Sequence, residues 1–236
     1  MPGDEPATDY RAVFWDIGGV VLDPDSVREA HEAFVGRLVE EYAPERSPED
    51  AVETWRRAVG SYFRERDGTE FRSARTAYDR AVAEIAGQSI PESEWRPLFE
   101  AVTTEILRPE PGAVEAVERL ADSELHVGVV SDVDTAEGLR ILETFGVRDR
   151  FDSITTSQMV GRTKPDRRMF ETALQEADAA PAEAVMIGDR YDHDVAGAKE
   201  VGLATVAYGA DDGPAVDYRV EDLREVLDIV GASRKT

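Results

Sequence analysis

Two hydrophobic rhythms alternate along the chain. Residues 11–15 (RAVFW) form a short apolar run that ends at Asp16-Ile17-Gly18-Gly19. Such a run, closed by glycines, predicts a buried strand that turns sharply at the edge of a parallel sheet. From residue 25 to about 108 the period changes. Val27, Ala30, Phe34, Leu38 and Tyr42 recur at helical spacing. Ser47-Pro48-Glu49-Asp50 predicts an N-cap with a first-turn proline and early acids. Val52, Trp55, Val59, Tyr62 and Phe63 carry that second helix. Ala74, Tyr78, Val82 and Ile85 mark a third, closing at Gly87, and residues 91–107 a fourth. No strand of convincing length intervenes.

Past Pro109-Glu110-Pro111-Gly112 strand and helix alternate. Helices are predicted at 114–120, 135–145 (stopped by Gly146), 167–177, 195–201 (stopped by Gly202) and 221–230. Strands are predicted at 125–130, ending in Ser131-Asp132, at 151–155, at 184–187, ending in Gly188-Asp189, and at 204–207. Strands separated by helices imply right-handed crossovers and an α/β fold with a Rossmann-like, doubly wound parallel sheet. The expected organisation is a disordered tail over 1–9, a core built from 10–24 and 109–236, and an all-helical insert at 25–108.

Composition narrows the function classes. The chain has 236 residues, enough for one sizeable core plus a smaller unit. The formal net charge is −23, from 50 acidic against 27 basic residues. A polyanion of this strength is repelled by nucleic acid and by anionic membranes, so neither is expected as a partner. It fits a halophilic protein kept soluble where salt screens self-repulsion. There is no cysteine, which excludes disulfides, thiolate metal sites and a thiol nucleophile. The histidines His31, His126 and His193 have no zinc-ligand spacing. The first nine residues are polar and acidic, unlike a signal peptide, and no apolar run is long enough to span a bilayer. A cytoplasmic location follows as the expectation, with a monomeric or homodimeric state.

In a sheet of this kind, ligands bind at the carboxyl ends of the strands. Those ends carry Asp16, Ser131-Asp132 and Gly188-Asp189, with Lys164 on a loop between them. An aspartate after a strand is often only a helix cap. Several carboxylates converging on one spot repel each other and need a cation, and oxygen ligands point to Mg²⁺. Lys164 is one of only three lysines, with Lys199 and Lys235, in a chain that otherwise uses arginine. A compact ammonium can pair with a phosphate oxygen and a carboxylate together.

Four segments, in order, resemble the motifs of the haloacid dehalogenase-like hydrolases. They are Phe14-Trp15-Asp16-Ile17-Gly18-Gly19-Val20-Val21-Leu22-Asp23, Val129-Val130-Ser131-Asp132, Gly161-Arg162-Thr163-Lys164-Pro165-Asp166 and the stretch from Ile187-Gly188-Asp189 through His193-Asp194 to Gly197-Ala198. The position of the helical insert resembles the cap of one class of that superfamily. The resemblance implies a Mg²⁺-dependent hydrolase of a small phosphorylated metabolite. Asp16 would be the nucleophile and form an aspartyl-phosphate. Ser131, Asp132 and Lys164 would face the phosphoryl group. Asp16, the Gly18 carbonyl and Asp189 would hold the metal, with Asp194 as a ligand or just behind.

Two positions depart from the family pattern. Phosphatases of the family commonly have a second aspartate, a general acid, where this chain has Gly18. General acid catalysis is worth a factor of about 10² to 10⁴, so a good leaving group or slow turnover is implied. Asp132 stands where asparagine is common. Three readings compete for it: a substitute proton donor, added charge near the metal, or a plain cap for the helix opening at Thr135. The absence at Gly18 also keeps alive a metal-independent 2-haloacid dehalogenase that uses Asp16 on carbon, and a non-catalytic descendant that binds phosphate or a partner. The Asp189 and Asp194 pattern ranks the phosphatase first. Among weaker candidates, His193 sits inside the fourth motif, His31 faces either substrate or solvent, and His126 is read as packed. Arg64 and Arg66 could read a polar substrate, although surface ion pairing is the simpler reading in so acidic a chain.

Overall fold

A computed structural model of the chain describes residues 9–232. The tail expected over 1–9 therefore lies, apart from Asp9, outside the described residues. One sheet holds six strands in the order β3-β2-β1-β4-β5-β6, all parallel. They are β1 (Ala12–Trp15), β2 (His126–Ser131), β3 (Ser153–Thr156), β4 (Ala184–Gly188), β5 (Ala204–Tyr208) and β6 (Tyr218–Val220). Every side chain of β1 is buried, as a strand covered on both faces demands. Its two-residue period sorts them. Val13 and Trp15 join the core under helices α5 (Ala113–Ala121), α6 (Thr135–Thr144) and α10 (Val226–Ile229). Ala12 and Phe14 join the opposite core, under α8 (Arg167–Glu176) and α9 (Ala196–Val201). Each large apolar side chain fully buried there contributes about 2–3 kcal/mol relative to exposure.

Four helices lie between β1 and α5: α1 (Pro24–Tyr42), α2 (Pro48–Arg64), α3 (Ala74–Ala86) and α4 (Glu92–Ile106). Their ends follow the sequence signals. The Asp23 carboxylate accepts the Asp25 N–H at 2.8 Å, the Ser47 hydroxyl accepts the Asp50 N–H, and Gly87 closes α3 at φ 70°. The helices bury a core of their own around Phe34, Leu38, Trp55, Val82, Trp95 and Phe99. They meet the sheet's carboxyl edge through the link between α2 and α3. Its Phe71 N–H donates to the Gly161 carbonyl at 3.2 Å, and its Thr69 carbonyl accepts the Thr163 N–H at 2.8 Å.

One local expectation is corrected, and three short elements are added. The closing helix expected at 221–230 is a 3₁₀ turn, Leu223–Glu225, followed by the short α10. Before it comes β6, which pairs Tyr218 with Val206 and Val220 with Tyr208. A three-residue strand with two exposed positions carries too little alternation to announce itself. The free edge of β5 decides it. The helix expected from 195 begins with a π turn, Tyr191–Val195, ahead of α9. A single helical turn, α7 (Ser157–Val160), follows β3 directly.

Candidate active site

Register brings the candidate residues to one level. Trp15 pairs with Val129 on one side and with Ile187 on the other. Asp16, Ser131 and Asp189 therefore leave adjacent strands at the same carboxyl edge, at the reversal of strand order between β1 and β4. Close approach depends on glycine at two positions. A Cβ on Gly19, which sits at φ 74°, would lie 2.1 Å from Asp189 Oδ2. A Cβ on Gly188 would lie 2.1 Å from the Asp194 Cβ. Glycine alone lets the carboxylates pack against this backbone.

Lys164 is buried at 1% exposure and organises the cluster. Its Nζ lies 3.0 Å from Asp16 Oδ1 and 2.6 Å from Asp194 Oδ1, and donates to the Val130 carbonyl at 2.9 Å. Burial alone would lower its pKa, but the facing Asp16, Asp194 and Asp132 outweigh that and hold it above the ordinary lysine range. It stays an ammonium. Asp194 is fully buried, and its Oδ2 accepts the Arg190 N–H at 3.0 Å across the π turn.

Asp16, Asp189 and Asp194 offer carboxylate oxygens within 4.8 Å of one another. Burial lifts the Asp16 carboxyl to about 7 and Asp194 adds to it, against the pull of Lys164. Burial, with Asp194 again, lifts Asp189 to about 6. One ammonium does not balance three carboxylates in a poorly solvated pocket. Asp189 Oδ1 is buried and has no hydrogen-bond partner among the described residues. An orphaned hard oxygen beside two more is a donor set suited to a divalent cation such as Mg²⁺. The residues present thus fit the metal that the sequence implies.

Asp132 is corrected in two respects. The cap position of α6 belongs to Asp134, not Asp132. The Asp132 carboxylate instead accepts the Lys164 N–H at 2.8 Å and stands 3.6 Å from His193 Nδ1. Burial would raise its pKa, but His193 and Lys164 outweigh it and the carboxyl is held below its usual value. That argues against Asp132 as a substitute proton donor. Ser131 is buried, with Oγ 3.4 Å from the Ile17 N–H. Gly18 is exposed, and a Cβ there would meet nothing within 4 Å.

A cavity of about 350 Å³ lies between the helical insert and this edge, reaching Asp132, Thr163 and Arg190. His31 lines it too. Its ring packs against Trp55, Tyr78 and Phe99 at centroid distances of 5.4, 5.5 and 5.9 Å, and burial pushes it down to about 4, so it is neutral at pH 7. His126 packs edge-on to Phe14 in the sheet and meets Ser153 Oγ at 2.8 Å. Arg64 is exposed, whereas Arg66 reaches the cavity and donates to Thr163 Oγ1 at 2.6 Å. Asp134 carried no sequence signal, because its partners lie far off in the chain. Its carboxylate accepts the Ser73 hydroxyl and the Ala74 N–H, both at 2.6 Å, and so caps α3 from the other side of the cleft.

Known proteins resemble this chain in sequence and in fold. A glyceraldehyde 3-phosphate phosphatase from Methanocaldococcus jannaschii is 31% identical over 143 residues, 58% of this chain and 63% of that one. A ribulose-1,5-bisphosphate 5-phosphatase from Halopiger xanaduensis is 32% identical over 51% of this chain and 56% of its own length. The chain thus spans less than two thirds of these relatives. Among solved structures, a HAD phosphatase from Thermococcus onnurineus superposes with a TM-score of 0.71 at 24% identity, covering 95% of this chain and 99% of that one. A 2-haloacid dehalogenase from Pseudomonas syringae pv. Tomato DC3000 gives 0.69 at 21% identity, covering 94% and 98%. These two likenesses speak to the fold. Residues 10–202 match the family description as a whole, and the chain belongs to the haloacid dehalogenase-like hydrolases.

Proposed function

We propose that this hydrolase is a Mg²⁺-dependent phosphomonoesterase of a small phosphorylated metabolite, with Asp16 as its nucleophile. The observation that carries the reading is the orphaned Asp189 Oδ1 beside Asp16, in a pocket whose one buried ammonium is Lys164 among the described residues. A surplus of carboxylate that calls for a divalent cation favours phosphoryl transfer over the metal-independent dehalogenase. The phosphatase names of the curated relatives support the same choice.

Asp16, Asp189 and the Gly18 carbonyl would hold the metal, with Asp194 behind them. When bound, Mg²⁺ supplies charge neutralisation and polarises a phosphoryl oxygen. Ser131 Oγ and Lys164 Nζ hold the remaining phosphoryl oxygens and stabilise charge that builds in the transition state. A carboxylate oxygen of Asp16 attacks phosphorus while the ester oxygen leaves, forming an aspartyl-phosphate. Position 18 has no carboxyl, so the departing oxygen takes its proton from water, which favours leaving groups of low basicity. Water then attacks the phosphorus, releases phosphate and restores the Asp16 carboxylate. The helical insert excludes bulk water meanwhile.

The test is phosphate release in high salt, with Mg²⁺ or chelator, on sugar, acyl and glycolate phosphates, beside halide release from 2-haloacids. Mg²⁺-dependent release that disappears in Asp16→Asn is the expected result. Halide release in chelator would replace this reading with the dehalogenase.

A further inference from the structure

The cavity between the helical insert and the sheet's carboxyl edge, which reaches Asp132 and Thr163, has a charge account of its own. The chain as a whole carries −23, yet every carboxylate on the cavity wall is already engaged. Asp132 receives the Lys164 N–H and faces His193. Asp134 receives Ser73 and Ala74. Glu137 pairs with Arg140 at 2.6 Å. The arginines on the same wall divide differently. Arg72 has Glu65 at 3.5 Å. Arg66 and Arg190 have no carboxylate within 4.0 Å among the described residues. Arg66 spends one N–H on the Thr163 hydroxyl, and among the described residues the Arg190 guanidinium meets the His193 ring, at 2.7 Å. Other arginines, Arg64 and Arg162 among them, also lack a carboxylate within 4.0 Å among the described residues, but Arg66 and Arg190 line the cavity. Two that reach a cavity and remain unpaired are available for a ligand.

We infer that Arg66, with Arg190, binds a second anionic group of the substrate, so that the preferred phosphomonoester carries a carboxylate or a further phosphate on its leaving portion. This rests on the phosphatase reading and deepens it. The reacting phosphate is already provided for by Ser131, Lys164 and the metal site, so these guanidiniums are surplus to the chemistry. A guanidinium matches a carboxylate or phosphate in a two-pronged geometry that an ammonium cannot offer. Arg66 comes from the link between α2 and α3 and is tied to Thr163, the residue before Lys164. A ligand held by Arg66 therefore bridges the helical insert and the phosphate-binding loop.

The test is calorimetric binding to the Asp16→Asn protein with Mg²⁺, using matched pairs of ligands. 3-Phosphoglycerate against glycerol 3-phosphate isolates a carboxylate. Fructose 1,6-bisphosphate against fructose 6-phosphate isolates a phosphate. The charged member of at least one pair should bind roughly tenfold tighter or more, as charge-assisted hydrogen bonds allow. Arg66→Gln in the same background should remove that preference, Arg66→Lys should restore part of it, and Thr163→Val, which cuts the tie but keeps the charge, should retain it. Arg190→Gln serves as an independent second variant. Equal affinities within both pairs, or a preference indifferent to both arginine substitutions, would overturn the inference. The underlying reading fails separately. Phosphate release by the native enzyme without any such preference removes this site and leaves the phosphatase. A preference lost in Arg66→Gln, with no phosphate released from any ligand, keeps the site and removes the phosphatase.

Discussion

The floor and the roof of the cleft are built by opposite means. The floor is buried charge: Lys164 between Asp16 and Asp194, with Asp189 beside them. The roof is aromatic packing: Phe34, Trp55, Tyr78, Trp95 and Phe99, with ring centroids 4.9–6.2 Å apart in successive pairs. Packed rings tolerate loss in proportion to the volume removed. A buried ion cluster does not, because deleting one member strands the others without a counter-charge. The floor should therefore be intolerant of substitution, while the roof should accept changes of lining at a cost set by volume.

Four further experiments sharpen or break this contrast. Asp16→Asn should reduce phosphate release by on the order of 10⁴-fold, since the proposed nucleophile is removed; an effect under tenfold would take Asp16 out of the chemistry. Lys164→Met leaves two carboxylates facing each other in a dry pocket. Urea unfolding should show a loss of about 3–5 kcal/mol together with loss of turnover. Phe34→Ala in the roof, fully buried, should cost about 3 kcal/mol in the same experiment. Turnover of a small aryl phosphate by the folded fraction should change by less than about tenfold, since no catalytic group moves. If the roof variant lost activity as the floor variant does, the division would be wrong. Gly18→Asp adds a carboxyl where nothing stands within 4 Å of the new Cβ. It should speed release from poor leaving groups, by up to about 10²-fold, and leave aryl phosphates little changed.

The smallest effect is in pH. Burial raises Asp16 to about 7 and Asp189 to about 6, above the 3.8 of an unfolded aspartate. The folded state then binds these protons more tightly than the unfolded state, so stability grows as pH falls from about 7 towards 4. In chelator, the melting temperature of the native protein relative to Asp189→Asn should rise between pH 7.5 and 5. At pH 7.5, added Mg²⁺ should stabilise the native protein and leave Asp189→Asn nearly unmoved.

The difference between floor and roof also separates what could be read from the chain. Strand ends and motif spacing located Asp16, Ser131, Lys164, Asp189 and Asp194 before any fold was known, because each follows a short apolar run or sits in an ordered motif. The helix limits of the insert were legible from Ser47, Pro48 and Gly87, whose signals are local. Arg66 was weighed as a surface ion pair, since nothing in a helical period tells which side of a link faces a cleft. Asp132 stood among three readings and Asp134 carried no signal for a related reason: both spend their carboxylates on partners 32 and 60–61 residues away.

By itself, then, the sequence determined the alternation of elements, the doubly wound sheet and the family, since periodicity and short motifs are properties of neighbouring residues. Tertiary structure decided which charges remain unpaired. Whether Asp189 Oδ1 or the Arg66 guanidinium has a partner depends on groups brought close by packing, and pairing energy depends on distance and burial rather than on position along the chain.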